Sequence, residues 1–227
     1  MHHTTAMMNT AAFVLFVIST LFLEVSTLSA AAPWQSFLSS LLPSAQSQGD
    51  AKTVEARARA ELKQQLYQVC RNNYGKSNAQ IRNTIESVID ELVTLNPTIN
   101  TATSPLLMKE WDLEWTTEKE INFFLQNKLS NKITQTLSNG VLENYIPFVR
   151  GGGFGVTGEI RPAAPADKSN NGCRTEFVFK NAKLDLGKWG IYNFPPVGEG
   201  WFDTIYLDYE LRIDSNSRND ILICSAK

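Results

Sequence analysis

The stretch TIYLDYELRID, Thr204–Asp214, alternates apolar and polar side chains from its second residue onward. Successive side chains of a β-strand point to opposite faces, so this period of two predicts a single strand with two different faces. The apolar face would carry Ile205, Leu207, Tyr209, Leu211 and Ile213, and the polar face Tyr206, Asp208, Glu210, Arg212 and Asp214. We therefore expect an antiparallel sheet that is buried on one side and solvated or ion-paired on the other.

Other short strand candidates are separated from this stretch by turn signals. In residues 110–117, EWDLEWTT, the tryptophans alternate with acidic residues. Residues 133–139 and 141–149 meet at Asn139-Gly140, a dipeptide that favours the tight turn of a hairpin. The remaining candidates span residues 154–161, 174–180, 183–186 and 220–225.

Repeated short strands of this kind predict a mainly β domain over residues 106–227, built as an antiparallel sandwich or barrel. One short helix, INFFLQ, is expected between the first two strands. Thr117 and Glu120 have the spacing of a capping box for its N-terminus.

Residues 51–95 follow the helical period instead. Apolar residues recur three or four positions apart, first at Val54, Ala58, Leu62, Leu66 and Val69, and then at Ile81, Ile85, Val88, Ile89 and Leu92. Gly75 separates the two runs, and Asn96-Pro97 ends the second. The pattern predicts a helical hairpin with one apolar face, which either packs on the β domain or acts as a module that docks a protein partner.

The N-terminus resembles a targeting segment. Residues 11–23, AAFVLFVISTLFL, are almost wholly apolar and are followed by small residues at 29–32. This order is typical of a signal peptide, which we place at residues 1–31, and the apolar run is too short for an ordinary membrane span. A retained anchor is the alternative. Residues 32–50 are rich in Ser and Gln and are interpreted as a linker or a transit-like segment.

The charge balance and the histidine content exclude several function classes. Lys and Arg total 21 and Asp and Glu total 23, so the chain lacks the basic surface that nucleic-acid binding needs. The only histidines, His2 and His3, lie in the predicted signal peptide, which leaves no imidazole for a nucleophilic triad or a zinc site. Of the three cysteines, Cys70, Cys173 and Cys224, the last two either pair or stay free. No metal or cofactor is expected.

Residues 151–158, GGGFGVTG, contain the Gly-x-Gly-x-x-Gly spacing of a dinucleotide-binding loop. Such a loop must lead into a helix whose N-terminus meets the pyrophosphate. Here Gly158 is followed by the alternating run Glu159-Ile160-Arg161 and then by Pro162. We therefore interpret the glycines as a bend at the start of a strand, where backbones approach closely.

Three residues of the opening stretch raise the alternative of a carboxylate-based enzyme. Asp208 and Glu210 share the predicted polar face with Tyr206, and such groups can perform acid–base chemistry if they converge in a cleft. Arg212 follows on the same face, so a surface ladder of ion pairs explains the pattern without chemistry. We favour the ladder and expect no catalytic residue.

Large apolar side chains are the candidates for a binding site. A barrel of about eight strands is just wide enough for a packed interior or for one small apolar guest. The residues that would line an apolar interior are Trp111, Trp115, Phe177, Phe179, Trp201, Ile205, Leu207 and Tyr209. The sequence leaves open whether that interior is filled or hollow.

Four segments resemble the plastid lipid-associated proteins, also called plastid fibrillins or plastoglobulins. The run PPVGEGWFDTIYLDYELRI, residues 195–213, is similar to the family's C-terminal signature. EWDLEWTTEKEINFF, residues 110–124, resembles its tryptophan strand and the segment that follows. Residues 135–148 and CRTEFVFKNAKL, residues 173–184, resemble its next strands. The resemblance covers the chain from about residue 51 to its end.

The resemblance implies a lipocalin-like antiparallel β-barrel preceded by helices, in a structural or carrier protein rather than an enzyme. Its expected partners are apolar molecules such as carotenoids, quinones and neutral lipids, and the surface of a plastid membrane or lipid droplet. The expected location is the plastid, with secretion as the alternative. A signal peptide followed by a short Ser-containing segment resembles the bipartite presequence of algae with secondary plastids.

Overall fold

A computed structural model of the protein describes residues 48–164, 171–195 and 198–227. The predicted signal peptide and the predicted linker up to residue 47 lie outside the described residues. None of the helices in these ranges is both long and apolar enough to cross a membrane.

The described residues form three α-helices and nine strands, joined by turns and short 3₁₀ segments. In chain order they are α1 Gln48–Asn72, α2 Ala79–Thr94, β1 Glu110–Thr116, α3 Lys119–Gln126, β2 Thr134–Ser138, β3 Val141–Pro147, β4 Gly153–Pro162, β5 Arg174–Asp185, β6 Ile191–Phe194, β7 Glu199–Leu207, β8 Leu211–Asn216 and β9 Ile221–Ala226. The Asn139-Gly140 turn is confirmed, since both residues have the positive φ that a tight hairpin requires.

The predicted short helix exists as α3, but its capping box does not. The N-cap residue is Glu118, and its side chain makes no capping hydrogen bond. Thr117 instead donates from its hydroxyl to Asp220 Oδ1 over 2.9 Å and accepts from the N–H of Ile221. Thr117 therefore ties the end of β1 to the start of β9.

Strand pairing closes the sheet into a barrel. The strands follow the order β4-β3-β2-β1-β9-β8-β7-β5-β6, and β4 also pairs with β5. Eight strands therefore form a closed antiparallel barrel, while β6 pairs with residues 182–185 of β5 outside it. The predicted mainly β fold with preceding helices is confirmed. We call the end that carries α3 and the β3–β4, β5–β6 and β8–β9 turns the upper end, and the opposite end the lower end.

The stretch Thr204–Asp214 is two strands rather than the predicted one. Asp208 Oδ1 accepts hydrogen bonds from the backbone N–H groups of Glu210 and Leu211, each over 2.8 Å, and this folds the chain into a tight turn between β7 and β8. Tyr209 lies at the tip of that turn and is 76% exposed. The alternation of apolar and polar residues continues across the turn, so the sequence pattern alone does not reveal that the strand ends there.

The faces of β8 are also the reverse of the prediction. Leu211 and Ile213 are buried outside the barrel, against the helices. Arg212 and Asp214, assigned to a solvated or ion-paired face, point into the barrel, and each is at least 98% buried. The strand is therefore covered on both sides, and its charged side is the more enclosed one.

Arg212 forms the floor of the barrel together with Trp111. Its guanidinium carbon lies 5.1 Å from the centre of the Trp111 ring, and its Nε lies 3.0 Å from Asp214 Oδ2. Arg212 also donates to Gln135 Oε1. The Trp111 indole N–H donates to the carbonyl of Leu107 over 3.0 Å. Apolar side chains fill the rest of the lower half: Leu107, Leu137, Leu142, Ile160, Phe202, Leu207 and Cys224.

The helical hairpin packs on the outer face of β1, β7, β8 and β9. Its buried side chains Leu66, Cys70, Ile85, Val88, Ile89 and Leu92 meet Trp115, Tyr206, Leu211, Ile213, Ile221 and Ile223. The apolar stripe predicted from the sequence is thus covered by the barrel itself. Of the two readings of the hairpin, the structure favours packing over partner docking.

The glycines at and before the start of β4 allow neighbouring segments to approach more closely than a side chain would permit. A Cβ at Gly158 would lie 2.6 Å from the Val178 carbonyl oxygen, and one at Gly153 would lie 2.7 Å from the Tyr145 hydroxyl oxygen. Gly152 has a φ of +80° in the turn before β4, and a side chain there would collide with the Asp185 carbonyl. Gly158 lies inside β4, which continues to Pro162, so the interpretation as the entry to a strand is confirmed.

Replacing Arg212 tests the floor. We expect Arg212→Met to lower the free energy of unfolding by about 3–5 kcal/mol, because Asp214 would stay buried without its cation. Urea unfolding measures the change. The double variant Arg212→Met, Asp214→Leu should recover most of the loss, since no charge is then buried. A single variant as stable as the wild type would contradict the assignment.

Shortening Leu66 tests the packing of the hairpin. We expect Leu66→Ala to cost about 2–5 kcal/mol in the same unfolding transition, because it leaves a cavity between α1 and the barrel. The control is Val54→Ala on the exposed part of the same helix, which should change stability by less than about 0.5 kcal/mol. If the barrel unfolds identically with and without Leu66, the hairpin is a separate module.

Candidate functional site

A cavity of about 210 Å³ occupies the upper half of the barrel, between the floor and α3. Its apolar lining comes from six barrel strands, from α3 and from the residue that directly precedes β2: Leu113, Ile121, Phe124, Ile133, Leu142, Ile146, Phe154, Val156, Phe177, Phe179, Phe202 and Leu222. The inward positions of the strands thus place large side chains around a space that they do not fill. The open question of the interior is answered: the lower half is packed and the upper half is hollow.

One wall of the cavity is polar. Gln135 Nε2 donates to Asn144 Oδ1 over 2.7 Å, and the side-chain oxygen Oε1 of Gln135 accepts from Arg212. Asp214 Oδ1 accepts from the hydroxyl of Thr204 over 2.8 Å. Burial raises the pKa of Asp214 against the opposing effects of Arg212 and Thr204. These hydrogen bonds hold the side chains in place, so the wall is a prearranged polar surface.

The rim of the cavity carries a cluster of charges around Arg218. Its guanidinium lies 3.2 Å from both Glu120 and Asp220, and 3.7 Å from Glu118. Asn216 Nδ2 donates to Glu118 Oε1 over 2.9 Å. Burial raises the pKa of Glu118 to about 7, with Asp220 and Glu120 acting in the same direction and Arg218 opposing. The rim is therefore acidic overall and titrates near neutrality at one position.

Two of the eight predicted lining residues, Phe177 and Phe179, line this cavity. Trp111 and Leu207 face the interior but belong to the packed lower half. The other four lie outside the barrel, which corrects the expectation for Trp115, Trp201, Ile205 and Tyr209.

Two β-bulges explain most of these misplacements. The pairing register of β1 shifts between Leu113 and Trp115, which turns Trp115 outward against the helices. The register of β7 shifts between Thr204 and Tyr206, and Ile205 then also packs toward the helices. Trp201 is on the outer face of β7, where the Arg174 guanidinium carbon lies 3.6 Å from its ring centre. A bulge adds one residue and so reverses the faces beyond it.

The sequence analysis missed most of the cavity lining. Leu142, Asn144 and Ile146 alternate in VLENYIP and could have been assigned to one face of β3 from that signal. Phe124 of α3 carried no such signal, because its role depends on the helix closing the upper end of the barrel.

The enzyme candidates Tyr206, Asp208 and Glu210 converge outside the barrel, on Lys63 of α1. Lys63 Nζ lies 2.8 Å from Asp208 Oδ2, which also accepts from the Tyr206 hydroxyl, and it contacts Glu210. Burial alone would lower the pKa of Lys63, but its two carboxylate partners raise it. Burial opposes ionisation of Asp208, yet its four donors lower its pKa.

This cluster is a clamp between α1 and the β7–β8 turn. Lys63 pairs with both carboxylates, and the cluster is separated from the cavity by the barrel wall. The predicted surface ladder with Arg212 is also wrong, because Arg212 lies inside the barrel. The question about the cysteines is settled as well, since Cys224 is a free thiol and therefore does not pair with Cys173.

Metal-ligating side chains do not cluster anywhere in the described ranges. The cavity chemistry therefore rests on its apolar lining, its amide and carboxyl wall and its acidic rim.

Known proteins are similar to this chain over most of its length. A family model described as PAP_fibrillin matches residues 60–225, from the middle of α1 into β9. The probable plastid-lipid-associated protein 11, chloroplastic, of Arabidopsis thaliana is 29% identical over 174 residues, which cover 74% of this chain and 78% of that relative. No solved structure matches the chain.

The raised pKa of Glu118 has a consequence for stability. An acid whose folded pKa exceeds its unfolded value stabilises the fold at low pH, and the contribution is lost as pH rises through the folded pKa. We expect stability to fall between about pH 4.5 and 7 through this group. Urea midpoints at several pH values should show a weaker decline in Glu118→Gln. Glu61→Gln, at an exposed carboxylate on α1, should keep the wild-type decline, and an unchanged profile in Glu118→Gln would refute the assignment.

Proposed function

The chain belongs to the PAP_fibrillin family, and from this premise we propose that its barrel binds and carries part of a neutral apolar molecule, such as a carotenoid, a quinone or a neutral lipid, at a plastoglobule or thylakoid surface. The family and the chloroplastic relative confirm the predicted plastid location and support a structural, lipid-associated role. The hollow upper half of the barrel is the observation that carries the proposal for a guest.

The size of the cavity limits what can enter. An engineered protein cavity of roughly 150 Å³ lined by apolar side chains stays dry and accepts benzene. The present cavity, about 210 Å³, is of the same order and suits one ring or a short length of chain. A long molecule would therefore be held by one end, while the remainder stays in the lipid phase outside the rim.

The charges around the cavity favour an uncharged guest. Around the cavity are four carboxyl groups, on Glu118, Glu120, Glu199 and Asp214, against two guanidinium groups, on Arg218 at the rim and on Arg212, which pairs with Asp214 in the floor. A carboxylate or phosphate entering this site would leave water and face an excess of negative charge. A hydroxyl or carbonyl oxygen at the end of the guest could instead exchange hydrogen bonds with the Gln135–Asn144 pair, since an amide offers both donors and acceptors.

Filling the cavity should abolish carriage. We expect Val156→Trp to prevent retention of lipid, because the added indole occupies space that the guest needs. The protein is incubated with a total plastid lipid extract and reisolated by gel filtration, and its lipids are identified by mass spectrometry. The wild type should retain neutral apolar molecules and few anionic lipids.

The matched control is Val141→Trp, which places the same side chain on an exposed position of β3. It should retain lipid like the wild type, and thermal unfolding should show that both variants are folded. A wild type that emerges free of lipid, or a Val156→Trp variant that carries as much as Val141→Trp, would overturn the proposal.

A further inference from the structure

Two neighbouring turns at the upper end expose large apolar side chains. Val149 in the β3–β4 turn and Trp189, Ile191 and Tyr192 in the β5–β6 hairpin are each 49–61% exposed. The turns abut, because Gly152 packs against the Asp185 carbonyl so closely that a side chain would collide with it. We call this surface, residues 148–152 and 186–192, the upper tip.

Three exposed cations lie in or beside the upper tip. Arg150, Lys183 and Lys188 are exposed, and in the part of the chain that the structure describes none of them forms an ion pair. Lys188 Nζ lies 5.3 Å from the centre of the Trp189 ring. The carboxylate of Asp185 in the same hairpin is engaged within the turn, where it accepts from the N–H of Gly187 over 2.8 Å.

The lower end differs from the upper tip in its charge. Ile99 and Tyr209 are also strongly exposed there, and Lys109 Nζ lies 5.8 Å from the centre of the Tyr209 ring, but the turn that carries Tyr209 holds the carboxylates Asp208 and Glu210. The upper tip combines its exposed apolar side chains with several cations, whereas the lower end combines them with carboxylates.

A lipid surface with anionic headgroups matches both properties. Tryptophan and tyrosine rings are suited to the boundary between headgroups and acyl chains, because one part of each ring system is apolar and another is polar. Each Lys or Arg held near an anionic surface contributes about as much as a fivefold gain in binding. The side chains that would enter the lipid stand on protruding turns.

We propose that the upper tip docks the protein on anionic lipid surfaces, with Trp189 and Ile191 entering the headgroup region and Arg150, Lys183 and Lys188 contacting the headgroups. The cavity rim, with Glu118 and Arg218, lies at the same end of the barrel. Docking therefore brings the rim to the lipid phase from which a guest would come. The inference rests on the proposed lipid-associated function and names the surface that performs the association.

Vesicle sedimentation tests the docking. The full chain is mixed with vesicles of phosphatidylcholine alone or of phosphatidylcholine with phosphatidylglycerol, so that residues 1–47 contribute equally in every variant. We expect Trp189→Ser to weaken binding to the mixed vesicles by on the order of tenfold. The double variant Arg150→Gln, Lys188→Gln should lose roughly twentyfold on the mixed vesicles and little on the neutral ones.

The control is Ile99→Ser, which removes an equally exposed side chain from the other end and should bind like the wild type. Equal binding of Trp189→Ser and wild type, or an equal loss in Ile99→Ser, would overturn the proposal, and in the first case the upper tip would be a protein contact instead. A failure of the docking proposal can be distinguished from a failure of the carrier proposal.

Val156→Trp should dock on vesicles normally without carrying a guest. Trp189→Ser should still carry a guest when the lipid is presented in detergent.

Discussion

The buried ion pair of Arg212 and Asp214 constrains the rest of the barrel. A charge in the interior is tolerated only when its partners are in place, and Arg212 obtains them from three directions: Asp214 on its own strand, Trp111 on β1 and Gln135 on β2. A shift of β8 by one residue would exchange its two faces and turn both charges toward the apolar side chains of the helices. The ion pair therefore fixes the register of β8.

The helical hairpin follows from the same constraint. Because Arg212 and Asp214 point inward, Leu211 and Ile213 must point outward, and Ile221 and Ile223 of β9 do the same. A barrel with such an apolar strip on its outside requires a cover. The stripe from Leu66 to Leu92 provides that cover, and Lys63 holds α1 against the β7–β8 turn through Asp208 and Glu210. The helices are thus part of the folded unit.

The sequence predicted the element types well because local physics determines them. The Asn139-Gly140 turn depends on two backbone conformations, and the stripe on α2 depends on a period. The inward face of a strand is harder to predict, because irregularities in the strands decide it. Here they are the extra residue at Glu114 in β1, the bulge near Ile205 in β7 and the turn at Asp208, which contains no glycine. Each of these reverses the faces, and none leaves a mark in the alternation. The four lining candidates that lie outside the barrel belong to these two bulged strands and this turn: Trp115, Trp201, Ile205 and Tyr209. The fold was therefore predictable and the cavity was not.

The packed core and the proposed binding site are separated along the axis of the barrel. In the lower half, Trp111, Arg212 and the apolar side chains around them pack together, and their loss acts directly on folding. The upper end of the barrel is covered by α3. Phe124 of this helix bounds a cavity that the side chains of the barrel do not fill. An unfilled cavity loses van der Waals contacts and so lowers the stability of the fold. The packed lower half and the helices on the outside of the barrel offset this loss. Side chains of the upper half can therefore change to suit the proposed guest while the packing of the lower half maintains the fold.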